Sequence, residues 1–132
     1  MKFMVCYDDA NVTRAALNLA KQQAEAFDDS SIHLVEVLEQ SPELGLETIQ
    51  KVEKKLDELA YEFKKKHGIP CDPHALVTQM SPGEALVQYA GDKGIDMAVM
   101  GVRRRSKVGK LLFGSTAQYV ILNAPCPVLT VK

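Results

Sequence analysis

The amino-acid sequence predicts an α/β fold: a single-domain open sheet of mostly parallel strands with helices on both faces. Three observations lead to it. Short apolar runs of strand length alternate with longer segments of helical periodicity along the chain. The resulting order, βαβαβαβ, a loop, then αβ, joined by right-handed crossovers, requires a mostly parallel sheet. The 132 residues, 46% of them hydrophobic, are enough for one domain (1–132) to bury its own core.

Each element has its own reason. Residues 3–7 (FMVCY) are an apolar run halted by Asp8 and Asp9, which suits a buried first strand. Asn11 or Thr13 opens a helix whose apolar positions Val12, Ala16, Leu19, Ala20 and Phe27 follow a spacing near three and four. Asp28, Asp29 and Ser30 break it, and residues 32–38 (IHLVEVL) form the second strand. Glu36 is unusual in a strand covered on both faces, so its carboxylate is expected near an edge, a strand end or a cleft. Over residues 43–67, Ile49, Val52, Leu56, Leu59 and Phe63 make one stripe among lysines and glutamates. A stripe this short is expected to pack on its own sheet rather than on a coiled-coil partner.

Gly68 caps that helix, Pro70 stops any continuation, and residues 74–78 (HALVT) form the third strand. Ser81-Pro82-Gly83-Glu84 starts the next helix, with proline at its first position and the acid near its positive end. Ala85, Leu86, Tyr89 and Ala90 give its apolar face, and Gly91 and Gly94 flank its end. Residues 95–100 (IDMAVM) are the fourth strand. Ser115 opens a last helix running to about residue 123, and residues 127–131 (PVLTV) are the fifth strand.

Composition excludes several functions. With 16 Lys and Arg against 17 Asp and Glu the formal net charge is -1, so bulk charge points to no nucleic acid, and any basic site must be local. The first residues reach acids too soon for a signal-peptide core, and no apolar run approaches membrane-spanning length; a cytoplasmic protein with no membrane partner is expected. Cys6, Cys71 and Cys126 are far apart and show neither metal-ligand spacing nor a CxxC pair. The histidines His33, His67 and His74 have no catalytic motif around them, and no metal site is expected.

In such a sheet ligands bind beyond the carboxyl ends of the strands, where the strand order reverses. The loops after the first and fourth strands, YDDA and GVRRRSKVGKLLFGST, are therefore the places to look. In the second of them Gly114 leaves room for a phosphate to approach the backbone. Ser115 and Thr116 offer hydroxyls beside the unpaired N–H groups of a helix start. Arg103, Arg104 and Arg105 add charge, with Ser106 and Gly109 nearby, which together fit a phosphate nest. The same features fit a solvated basic loop and an ordinary serine N-cap, and local chemistry leaves both readings open.

Gly101, Gly114 and Ser115, the stretch SPGEALVQYAGDKGIDMAVMG and the ending APCPVLTVK together resemble the universal stress protein (UspA-like) family, over essentially the whole chain. The resemblance implies an adenine nucleotide alpha hydrolase-like fold with strand order 3-2-1-4-5. It also implies ATP binding through Gly, two residues, Gly, nine residues, Gly, then Ser or Thr. The chain matches at Gly101, Gly114 and Ser115 but has Arg104 in place of the second glycine. There a side chain either obstructs the phosphates or grips them bidentately. By the same resemblance Asp8 matches the ribose ligand, with helix capping as its alternative role. Val37 and Met100 match the adenine-side contacts.

Two functions follow. One is a regulatory module that binds ATP or a related adenine nucleotide, with Mg2+ if bound, and at most hydrolyses it slowly. The other is a stress-related interaction protein that binds no nucleotide and works through its dimer surface. The apolar last strand at a sheet edge leaves unpaired backbone groups. The resemblance implies that it pairs with its counterpart in a homodimer through Val128–Val131. The sequence names no regulatory protein partner.

Overall fold

The unbroken apolar run that opens the chain is explained by its position. β1 (Lys2–Cys6) lies mid-sheet with both faces covered, and Phe3, Met4 and Val5 are wholly buried. The computed structural model describes residues 1–7, 10–102 and 114–132. After β1 come α1 (Ala10–Ala24), β2 (Ser31–Glu39), α2 (Leu46–His67), β3 (Cys71–Thr78) and α3 (Pro82–Asp92). β4 (Met97–Gly101), α4 (Ser115–Asn123) and β5 (Val128–Val131) complete the chain. The described residues form one sheet of order β3-β2-β1-β4-β5 in which every pairing is parallel.

Successive strand residues point to opposite faces, and this divides the core in two. Phe3, Val5, Ile32, Leu34 and Val99 pack with α1 and α2, while Met4, Cys6, Val35, Ala98 and Met100 pack with α3 and α4. Burying a side chain the size of Phe3 or Leu34 contributes roughly 2–3 kcal/mol. Ala16, Ala20 and Ala24 let α1 lie close to the sheet, and Leu17 fills the space beside them. Phe27 does not continue that face. The helix ends at Ala24, and Phe27 lies beyond it, 45% exposed, its carbonyl accepting from the Ser30 hydroxyl at 3.2 Å. Neither Asn11 nor Thr13 is the first helical residue, because the helix is already formed at Ala10.

α2 buries Leu56, Ala60 and Phe63 with Val52 and Leu59 at the rim, so its stripe packs on its own sheet. It starts at Leu46, later than the periodicity suggests, because Gly45 takes the N-cap; Gly68 at φ 69° ends it and donates its N–H to the Lys64 carbonyl at 2.8 Å.

β3 begins at Cys71 and includes Pro73, earlier than the sequence suggests. Ile32 N–H donates to the Pro70 carbonyl and Gln40 N–H to the Thr78 carbonyl, both at 2.8 Å. Even-numbered residues of β3 therefore face β2, and Pro73 faces the open edge, where its missing N–H breaks no pairing. β4 starts two residues late, because Asp96 is spent in a turn: its carboxylate accepts from the Lys2 N–H at 2.7 Å, and its own N–H donates to the Lys2 carbonyl at 2.8 Å. Pro127 gives only its carbonyl, to the Ala98 N–H at 3.0 Å, and β5 proper begins at Val128. Among the described residues no helix is long and apolar enough to cross a membrane.

Candidate functional site

β1 and β4 are sheet neighbours, but the chain leaves β1 for α1 on one face and β4 for α4 on the other. The helices that follow the two strands lie on opposite faces, and in such a sheet a crevice is left above the two carboxyl ends. A cavity of about 220 Å³ lies there. Cys6 and Tyr7 at the end of β1, with Val35 and Val37 of β2, form one side. Met100 and Gly101 of β4 with Val102 form the floor. Pro82 and Leu86 of α3, then Gly114, Ser115, Thr116 and Ala117 at the start of α4, close the other side.

The start of α4 differs from the sequence expectation in one respect. Ser115 is the first helical residue and not the cap; the N-cap is Gly114, and no side chain caps this helix. The first intrahelical bond runs from Gln118 N–H to the Gly114 carbonyl at 3.0 Å, so the N–H groups of Ser115, Thr116 and Ala117 have no acceptor within the helix. All three residues line the cavity. The neighbouring α3 is finished differently: Pro82 stands in its first turn, and the Ser81 hydroxyl caps it by accepting from the Glu84 N–H at 3.4 Å.

Among the described residues the lining is uncharged. Apolar side chains make the base of the cavity, and hydroxyls and backbone N–H groups make one wall, which suits a flat apolar ring joined to an anionic group. A described ion pair reaches Tyr7 of that lining. The Lys55 ammonium sits 4.2 Å from the centroid of the Tyr7 ring and pairs with Glu36 at 3.1 Å. Glu36 thus lies in the carboxyl half of an inner strand, 13% exposed, with its charge met by the long arm of a lysine from α2. Of the three places expected for it, an edge, a strand end or a cleft, only the edge is excluded, because β3 covers that side.

Of the residues singled out from sequence, Val37, Met100, Gly101, Gly114, Ser115 and Thr116 come together in this cavity. Asp8, Arg103 and Arg104 lie outside the described residues, as do Arg105, Ser106 and Gly109. Sequence reasoning missed Cys6, Tyr7, Val35, Pro82, Leu86, Val102 and Ala117. Cys6 and Val35 were legible only as core, and Pro82 and Leu86 only as parts of a helix. Burial pushes the Cys71 thiol up to about 12 and raises that of Cys126, so both stay protonated at neutral pH. Among the described residues no cluster of three His, Cys, Asp or Glu side chains could hold a metal ion.

An open parallel sheet of this order, with its cavity at the reversal point, defines an α/β protein of the adenine nucleotide alpha hydrolase-like class. The universal stress protein family matches residues 1–132, and the chain belongs to that family. A universal stress protein of Thermus aquaticus is 32% identical over 134 residues, covering 98% of this chain and 96% of its own. One from Methanocaldococcus jannaschii is 30% identical over 145 residues, covering 99% and 81%. The universal stress protein of Archaeoglobus fulgidus, solved in complex with dAMP, superposes with a TM-score of 0.82 at 25% identity, covering 100% of this chain and 98% of that one.

Proposed function

We propose that this chain is a regulatory module that binds ATP or a related adenine nucleotide above the carboxyl ends of β1 and β4. One observation carries the reading: six residues from three distant stretches of sequence, Val37, Met100 with Gly101, and Gly114 to Thr116, line a single cavity. The dAMP complex of the Archaeoglobus fulgidus relative supports it. The adenine lies by Val37 and Met100, the ribose by Asp8. The phosphates meet the N–H groups and hydroxyls of Ser115 and Thr116, with Arg103 and Arg104 supplying charge.

Calorimetry tests this. ATP should bind, and its affinity should fall as salt rises, because salt screens the attraction between the arginines and the phosphates. Adenosine, lacking phosphates, should bind more weakly. Arg104→Gly should weaken ATP binding and flatten its salt dependence; tighter binding would mean that the arginine obstructs. No binding of any adenine nucleotide at millimolar concentration would return the chain to the interaction-protein reading.

The same proposal includes a homodimer through β5. Ala98 N–H bonds to the Pro127 carbonyl and Val102 N–H to the Val131 carbonyl at 2.8 Å, so odd-numbered residues of β5 face β4. Val128 and Thr130 therefore turn their N–H and C=O groups outward. A two-fold axis at Leu129 would set Val128 of one copy against Thr130 of the other. Thr130→Pro removes an outward N–H and leaves the pairing with β4 intact. It should yield folded monomers in sedimentation, whereas Leu129→Pro would damage the sheet itself. A native monomer at micromolar concentration, or a Thr130→Pro dimer, counts against the interface.

A further inference from the structure

Two of the three histidines meet a buried tyrosine at the seam between the sheet and α3. His33 of β2 and His74 of β3 stack with ring centroids 5.5 Å apart and planes 18° from parallel. Tyr89 of α3, 7% exposed, sets its ring against both, at 5.8 Å and 5.4 Å. Its hydroxyl lies 2.6 Å from His33 Nδ1. With the neutral imidazole carrying its proton on Nε2, that hydroxyl donates to Nδ1. Both imidazoles are half-buried, and an open groove of about 310 Å³ between β3 and α3 reaches Tyr89, giving water a route to the cluster.

The charged surroundings come from every packed element. β3 contributes Asp72, β1 contributes Lys2, and the end of α3 contributes Lys93, whose ammonium is 6.0 Å from the Tyr89 ring centroid. Asp96, in the turn before β4, is held by the Lys2 N–H. Two ammonium groups oppose a new positive charge, and Asp72 favours it. A second charge on the facing ring of the stack is opposed most directly. Burial, then the neighbouring His74, holds His33 below the ordinary 6.5, with Lys2 and Lys93 adding and Asp72 opposing. Burial lowers His74 as well, against Asp72 and with Lys93.

We propose that His33, His74 and Tyr89 form a proton-operated clasp: with both rings neutral it fastens α3 to β2 and β3, and protonation in mildly acidic solution loosens it. The sign follows from linkage. A histidine lowered in the folded state binds fewer protons folded than unfolded, so the clasp's stability is complete above about pH 6.5 and is lost as pH falls below it. α3 also carries Pro82 and Leu86 into the cavity, so loosening it reaches the proposed nucleotide site. The clasp itself does not depend on that reading.

The test uses the full chain without nucleotide, so its outcome is independent of whether the cavity binds one. Histidine NMR titration should place His33 and His74 below 6.5 and coupled. His74→Gln should raise the His33 midpoint, and Tyr89→Phe should raise it too, because the neutral ring loses its donor. Amide exchange, corrected for intrinsic rates, should show α3 protection falling about tenfold between about pH 7.5 and about pH 5. In the His33→Gln/His74→Gln double variant, or in His74→Gln alone if the double variant does not fold, that fall should shrink. An unmoved His33 midpoint in His74→Gln, or the same loss of α3 protection in variant and native protein, overturns the clasp.

Discussion

Replacing Gly83 by valine is expected to destabilise the protein by about 3 kcal/mol, the upper part of the usual range for overpacking a tight contact. Gly83 is buried in the first turn of α3, where that helix meets α4. A Cβ placed there would come 2.8 Å from Tyr119 Cβ and 3.0 Å from its Cγ and Cδ1. The closest of these atoms is fixed to the α4 backbone, so no rotamer change relieves it and one helix must move. Alanine makes the same first contact, but glycine is the poorer helix former by up to about 1 kcal/mol, which offsets part of the cost. Tyr119→Ala relieves only the ring contacts and leaves the Cβ, so it should rescue the valine variant in part. Urea unfolding reads all of this; a Gly83→Val protein as stable as native would contradict the close crossing.

The crossing bears on the cavity as well as on stability. α3 brings Pro82 and Leu86, and α4 brings Ser115, Thr116 and Ala117, so a shift of one helix against the other displaces part of the cavity lining. Under the proposed function, Gly83→Val should therefore also weaken ATP binding at least tenfold, on the order of 1.4 kcal/mol. Gly83 is not itself among the residues that line the cavity, and its effect would be one of position.

Periodicity made the elements legible, because a sheet covered on both faces imposes long apolar runs and each crossover imposes an amphipathic helix. Boundaries were less legible where hydrogen-bond direction decides them. Pro73 looks like a strand breaker until β3 is known to be an edge with that residue facing out. Phe27 fits a helical spacing, yet the helix ends at Ala24, and no periodicity reports that end. Site residues were legible where glycine, serine and threonine fall in a motif. Cys6, Val35 and Leu86 were not, since an apolar residue lining a cavity has the same sequence signature as one in the core. Lys55, His74 and Tyr89 acquire partners only across the fold, from residues 19, 41 and 56 positions away in the case of Lys55–Glu36, His74–His33 and Tyr89–His33.

Gly114→Ser should move stability and ligand binding in opposite directions. Gly114 has φ -61° and ψ 159°, an extended conformation open to every amino acid, so nothing in the backbone requires glycine at this N-cap. Serine is the better cap: its hydroxyl would accept an N–H from the first turn of α4, and the helix should gain a few tenths of a kcal/mol. That N–H belongs to the group that the proposed function leaves for a phosphate, and the new side chain would stand at the cavity wall. ATP affinity should therefore fall about tenfold while the unfolding midpoint holds or rises. Ser115→Ala deletes one hydroxyl and should cost less, about 1 kcal/mol. Gly114→Val combines a poor cap with a branched obstruction, and should lose about 100-fold in affinity, on the order of 2.7 kcal/mol, along with some stability. Calorimetry beside thermal unfolding separates the two quantities. Equal ATP affinity for the native protein and all three variants would remove the start of α4 from the site, whatever the nucleotide then contacts.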